Sequence, residues 1–348
     1  VRKIVIHRPG GYKRLTLETC PDPVARPGEV LVRAESIGVN YADCIVRMGL
    51  YESAKKYVGW PITPGFELAG VVQAVGEGID DVALGARVFA VTRFGGYATH
   101  VVVPRHHVFP LPAGFSMDEA AAFPTVFLTA YWALAELAHP RRGATLLVHA
   151  AAGGVGSALL QIGKSLGCTM VGVVGASSKV DVARRLGADF VIDKSQGDFW
   201  RAAARISPRG YDVILDANGV STLRMSYRHL ASPGKLVIYG FHSMLPRAHE
   251  EGAPGRVRWG KLALDYLRTP HFNPLSLTNE NKSILAFNLS YLFERSDLLS
   301  EAMGALLRGV AEGTLKPLPI TRFALDDVRG AHRALESAQT VGKLVLVP

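Results

Sequence analysis

Ten residues constrain this chain more than any other stretch: Leu147-Val148-His149-Ala150-Ala151-Ala152-Gly153-Gly154-Val155-Gly156. The run Thr145–Ala150 is apolar without alternation, as in a parallel strand buried on both faces. Helical periodicity starts at Val155. The turn between them has shed its side chains. Gly153 and Gly154 let backbone N–H groups approach a pyrophosphate, and Gly156 lets the helix pack close on the sheet. The helix N-terminus then faces the anion. The first glycine of the G-x-G-x-x-G fingerprint is replaced by Ala151, so the pattern is imperfect. Its place between a strand and a helix supports it. Ala152, Gly153, Gly154, Val155 and Gly156 are therefore predicted to hold a dinucleotide; the alternative is a tight turn without a ligand.

The flanking sequence agrees. Strands are predicted at 145–150, 169–174, 190–193, 212–216 and 235–240, with helices at 155–166, 179–186, 198–206 and 221–230. This alternation predicts an α/β fold with a doubly wound parallel sheet. Residues 1 to about 110 differ. Short β-branched runs at 3–7, 29–37, 68–75, 87–92 and 98–104 are parted by Gly/Pro turns, as in an antiparallel barrel or sandwich. Met117–Ala138 reads as helix, broken at Pro124. Residues 241–283, with four prolines, read as an excursion over a surface or cleft containing a helix at 261–267. A strand at 284–292, a helix at 297–312, and a helix then a strand over 323–347 complete the pattern.

A length of 348 residues predicts two or three domains. The net charge of +9 is dispersed, with no Lys/Arg run longer than two, so nucleic acid is not expected as the partner. Three cysteines without a CxxC pair predict no disulfide framework and a reducing, cytoplasmic setting. No uncharged apolar run reaches membrane-spanning length. The start, Val1-Arg2-Lys3-Ile4, runs into a strand pattern rather than a signal peptide.

The second strand of the parallel unit ends in Gly175-Ala176-Ser177-Ser178-Lys179, with no acidic residue before Asp181. An acidic side chain there would bind the ribose hydroxyl of NAD. Gly175, Ser177, Ser178 and Lys179 predict a 2′-phosphate instead, hence NADPH. One charge-assisted hydrogen bond contributes about 1.5–3 kcal/mol, or roughly 10- to 100-fold in preference. Lys194, after the third strand, either adds charge there or is a solvated lysine.

With these residues in place, nearly the whole chain resembles the medium-chain dehydrogenase/reductase superfamily. Its marks are Pro27-Gly28-Glu29-Val30, Gly38-Val39-Asn40-Tyr41-Ala42-Asp43, Arg47-Met48-Gly49-Leu50-Tyr51, Pro64-Gly65-Phe66-Glu67-Leu68-Ala69-Gly70, Gly95-Gly96-Tyr97-Ala98, the Ala150–Gly156 turn and Leu186-Gly187-Ala188-Asp189. It looks most like the zinc-free quinone oxidoreductase branch. The segment Phe287-Asn288-Leu289-Ser290-Tyr291-Leu292 and the insertion before it are similar to the vesicle amine transport protein 1 homologues.

The resemblance implies a GroES-like catalytic domain split around a Rossmann domain: 1–122, 123–296, then 297–348 returning to the first. It also implies a homodimer. Zinc-dependent relatives carry Gly-His-Glu where this chain has Gly65-Phe66-Glu67, and the upstream Cys ligand is missing beside Asn40. No metal is therefore expected, and Lewis-acid activation of an alcohol is lost. Hydride acceptors that need less help, quinones and activated carbonyls, fit better. Asn40 and Tyr51 become candidate donors to the acceptor oxygen, with Asp43 orienting a neighbour. Tyr51 is equally a packing residue, and Asp43 equally a structural acceptor. By the same resemblance Asn40, Thr129, Asn218, Gly240, Phe241, Phe287, Leu289 and Lys343 line the cofactor. Thr129 could equally bond its own helix, and Lys343 could be plain surface charge. Rival readings are an enone or enoyl-thioester reductase, and an NADPH-binding protein of little turnover that meets a membrane or partner through 242–281. Core packing is the default for Trp259, Leu262, Leu264, Tyr266 and Leu267 in that stretch.

Overall fold

Glycine turns separate the first seven strands: β1 (Arg2–Val5), β2 (Thr16–Thr19), β3 (Glu29–Val39), β4 (Glu67–Val75), β5 (Arg87–Val91), β6 (His100–Pro104) and β7 (Val108–Pro110). In this computed structural model, residues 1–246 and 255–348 are described. β3 is the spine of the N-terminal part, antiparallel to β4 on one side and to β6 and the final strand on the other. Its eleven residues are nearly all buried, because layers cover both faces.

Two helices absent from the sequence expectation leave this sheet: α1 (Tyr41–Met48) and α2 (Glu52–Tyr57). α1 starts because the Asp43 carboxylate accepts the Asn40 N–H. It stops at Gly49, which adopts φ +78°. The predicted helix over 117–138 is three pieces: α3 (Met117–Ala121), α4 (Pro124–Tyr131) and a π-helical turn at Trp132–Ala138. Ser116 caps α3, and Pro124 begins α4, where its missing N–H costs nothing. Phe123 and Phe127 of this connector stack at 4.2 Å. One core runs from Phe89 through them to Leu146 and Met303.

The next strands are β8 (Thr145–Val148), β9 (Thr169–Val174), β10 (Phe190–Asp193), β11 (Tyr211–Asp216), β12 (Leu230–Ile238) and β13 (Lys282–Ala286). They lie in the order β10-β9-β8-β11-β12-β13, every pair parallel. This is the 3-2-1-4-5-6 order of a dinucleotide-binding sheet, with its switch point between β8 and β11. Helices α5 (Gly154–Ser165), α6 (Val180–Arg185), α7 (Phe199–Ile206) and α8 (Leu223–Arg228) connect the strands.

The excursion contains α9 (Trp259–Arg268), near the predicted helix, and an unpredicted α10 (Pro274–Glu280). Its residues 247–254 lie outside the described ones. Core packing does not describe this stretch. Trp259, Tyr266 and Leu267 are each more than two-thirds exposed, and Leu264 is exposed too. The predicted strand at 284–292 is β13 followed by a 3₁₀ turn, Leu289–Glu294. The strand ends there because Asn288 Oδ1 takes up the Ser290 N–H.

After α11 (Ser296–Ala311), β14 (Ile320–Ala324), α12 (Val328–Glu336) and β15 (Lys343–Val347) follow. β15 inserts between β14 and β3, completing the first sheet. No helix of the described residues is long and apolar enough to cross a membrane.

Candidate active site

β15 brings Lys343 to the end of β3, where Asn40 leaves the sheet. Lys343 Nζ donates to Glu67 Oε1 at 2.6 Å, Asn40 Oδ1 at 2.8 Å and the Val39 carbonyl at 2.8 Å. Asn40 Nδ2 donates to Glu67 Oε1 at 2.7 Å, and the Thr125 N–H donates to Glu67 Oε2 at 2.7 Å. All three side chains are buried. Gly38 is required beneath them, since a Cβ there would lie 2.3 Å from Glu67 Oε1. Lys343 is therefore a buried ion-pair partner rather than plain surface charge.

Asp43 takes the Asn40 and Gly65 N–H groups, each at 2.8 Å. It fixes the two loops that frame the site. Burial pushes its carboxyl up to about 7, against the opposing pull of those two donors. Tyr51 donates its hydroxyl proton to Asn288 Oδ1 at 2.9 Å, and burial pushes that phenol up to about 12. Its ring stands edge-on to Phe66 and Phe94, with centroids 5.7 and 6.3 Å away. Two further contacts, Ser290 with Ser53 and Tyr57 with Glu294, close the same seam. Each of the three pairs is 237 positions apart, so the two segments lie side by side in register.

The glycine turn is tightly built. Ala150 adopts φ +52°, and a Cβ on Gly156 would come within 2.3 Å of the Ala150 carbonyl oxygen. Gly153 caps α5, with Ala152 buried behind it and Val155 in the first turn. The Gly342 N–H donates to the Ala152 carbonyl at 2.9 Å, so β15 also seats this turn. Gly154 is closely packed as well, since a Cβ there would come within 2.9 Å of Val126 Cγ1.

At the end of β9, Gly175, Ser177 and Ser178 are exposed and the Lys194 stem lies beside Gly175. Ser177 donates to Asp193. Lys179 donates to the carbonyls of Ala338 and Thr340 at 2.7 and 2.8 Å. Burial, and then the charge of Lys194, push the Lys179 ammonium below its ordinary range. Asn218 follows β11, where Asp216 receives its N–H. Gly240 packs on the Ala217 carbonyl, Phe241 is exposed, and Phe287 and Leu289 flank Asn288. The Thr129 hydroxyl donates to the Thr125 carbonyl of its own helix.

Asn288 and Ser290 were not singled out as site residues, although their segment was recognised. Only the seam shows what they hold. Another cluster, Cys44, His332 and Glu336, has ligand atoms within 4.8 Å of one another. A side chain already supplies its cation. Arg47 Nη2 lies 2.8 Å from Glu336 Oε1, and Nη1 lies 3.3 Å from His332 Nδ1.

A mostly antiparallel sheet completed by the returning chain and joined to a 3-2-1-4-5-6 sheet is the architecture of the medium-chain dehydrogenases and reductases. Family models agree: "Alcohol dehydrogenase GroES-like domain" matches residues 26–113 and "Zinc-binding dehydrogenase" matches 186–346. The synaptic vesicle membrane protein VAT-1 homolog of Danio rerio is 34% identical over 346 residues, covering 99% of this chain and 69% of that protein. The human homolog is 32% identical, covering 100% and 86%. The structure of Escherichia coli quinone oxidoreductase complexed with NADPH matches with a TM-score of 0.84 at 27% identity, covering 100% of both chains. The chain belongs to the medium-chain dehydrogenase/reductase superfamily, among the VAT-1 homologues.

Proposed function

We propose that this protein is a zinc-independent, NADPH-dependent reductase of quinones and related activated carbonyls. The observation that carries this reading is the Asn40–Lys343–Glu67 hub at the seam of the two sheets. Zinc does not fit there: the candidate ligand positions offer an amide and the Phe66 ring, and an ammonium already sits on the Glu67 carboxylate. NADPH does fit, on the Gly153–Gly154 backbone, with Lys179 and Lys194 near the exposed serines. Lys179 gives two ammonium protons to the Ala338 and Thr340 carbonyls, and its third would serve a 2′-phosphate. The NADPH-bound E. coli relative supports the same cofactor.

NADPH supplies the hydride. The chain's residues do the rest. Phe66, Phe94 and Tyr51 wall the cleft with aromatic edges and exclude water. Asn40 offers its second Nδ2 proton to the acceptor oxygen, on which negative charge develops. Tyr51, the candidate proton donor to the α-carbon of an enone, has committed its proton to Asn288. That favours quinones, whose charge is taken up on oxygen.

The working form is a homodimer in this reading. β13 is a sheet edge with no outer neighbour among the described residues, and exposed apolar side chains of α9 and α10 lie close in sequence before it. Three free cysteines agree with a reducing, cytoplasmic setting. The deciding experiment follows the loss of nicotinamide absorbance with an ortho-quinone and with an open-chain enone, using NADPH and then NADH. Faster turnover with NADPH and the quinone is expected. Tight NADPH binding without turnover of either acceptor would refute the reductase reading and favour a binding protein with a membrane or protein partner.

A further inference from the structure

Lys343 is 3% exposed and has three ammonium protons. The structure gives them three acceptors: the Val39 carbonyl, Asn40 Oδ1 and Glu67 Oε1. No proton remains for a substrate or a phosphate, so Lys343 does not itself donate to the reaction. Its stem lies against the nucleotide turn, where a Cβ on Gly154 would come within 3.1 Å of Lys343 Cδ.

A primary amide has one accepting oxygen and two donor protons, and by shape alone it can sit either way round. At Asn40 only one orientation survives. Turning it over would set its NH2 against an ammonium and its oxygen against a carboxylate. One Nδ2 proton is therefore held on Glu67, and the second has no acceptor among the described residues. A cation on the amide oxygen also draws density from the nitrogen, which strengthens the remaining N–H as a donor.

We propose that Lys343 is a positioning residue for Asn40, locking the amide so that a polarised N–H faces the acceptor oxygen. The inference rests on the hydride-transfer reading of the site. It assigns Lys343 a task other than holding the cofactor's phosphates.

The test compares wild type, Lys343→Met, Asn40→Ala and the double variant. The measurements are NADPH affinity by fluorescence titration, kcat and KM for an ortho-quinone, and the side-chain amide ¹H–¹⁵N spectrum. Lys343→Met leaves Glu67 buried and unpaired, so Lys343→Met/Glu67→Gln, which removes both charges, is measured beside it. Either is expected to keep NADPH affinity and KM within about 3-fold while kcat falls about 100-fold, as far as in Asn40→Ala. The Lys343→Met/Asn40→Ala double variant should fall no further than its single variants. In the spectrum, the amide pair missing from Asn40→Ala has one proton shifted downfield by the Glu67 carboxylate. Its two shifts should converge in Lys343→Met/Glu67→Gln, where no charge holds the amide, and move less in Lys343→Met, where Glu67 still holds it.

NADPH affinity weakened by about 10-fold or more, with kcat retained, would make Lys343 a phosphate ligand and overturn the proposal. Additive losses in the double variant would overturn it as well. If wild type reduces no quinone, the hydride reading falls. The amide spectrum then still decides: an unmoved Asn40 pair in both Lys343 variants overturns the positioning role, and a converged pair sustains it.

Discussion

At the scale of single residues, hydrogen-bond inventory separates the candidates that sequence left level. Asn40 and Tyr51 are both proposed as donors at the cleft. Asn40 keeps a proton without an acceptor among the described residues, whereas Tyr51 has given its proton to Asn288. Tyr51→Phe is accordingly expected to hold kcat within about 3-fold, and Asn40→Ala to lose about 10²–10³-fold; steady-state kinetics with an ortho-quinone checks both. Arg47 gives a stability prediction. It and Glu336 are both fully buried, so Arg47→Ala leaves a carboxylate unpaired and should cost about 3–5 kcal/mol in a urea melt. Asn40 was legible in the sequence as an amide beside the missing zinc ligands. Its partners were not legible in that role. Glu67 lies 27 positions away, and Lys343 lies 303 positions away, on a strand whose neighbours no local pattern reveals.

At the scale of elements, long apolar strands and the glycine turn were readable because their patterns are local. α1 was not, because it is eight residues long and starts through a carboxylate reaching back to Asn40. That carboxylate has a measurable consequence. Unfolded, Asp43 ionises near pH 4, and folded it ionises at about 7. Its contribution to stability is fully present below pH about 4 and is lost as pH rises through 7. Stability of Asp43→Asn should depend less on pH across that window than wild type, as denaturant midpoints at several pH values would show. The 3₁₀ turn at 289–294 was misread as strand, because its apolar residues pack across the seam rather than within a sheet. Asn288 Oδ1 accepts three hydrogen bonds there, from Tyr51, the Ser290 N–H and the Ser290 hydroxyl. Asn288→Ala should speed amide exchange over 288–294 and leave that of β8 unchanged.

At the scale of the molecule, the β-rich part and the parallel sheet were both foreseen. The fate of the excursion was not, since helical periodicity cannot tell a core helix from an exposed one. Cofactor preference also belongs here, because the proposed 2′-phosphate site draws on two lysines carried by different βα units. Lys179→Ala/Lys194→Ala should reduce the preference for NADPH over NADH by about 10- to 100-fold while barely changing NADH affinity, as paired titrations would show.

The return of β15 to β3 also sets a timetable. Leu344 pairs with Val39, so the sheet that begins the chain cannot close until its end has been made. At about 5–20 residues per second on a ribosome, the wait is roughly 15–60 s. Throughout it, the Ile37–Val39 end of β3 stays unpaired on that side, beside the emerging nucleotide domain. A nascent chain stalled before Lys343 should therefore expose that edge to chaperones and proteases, while its parallel sheet is already formed.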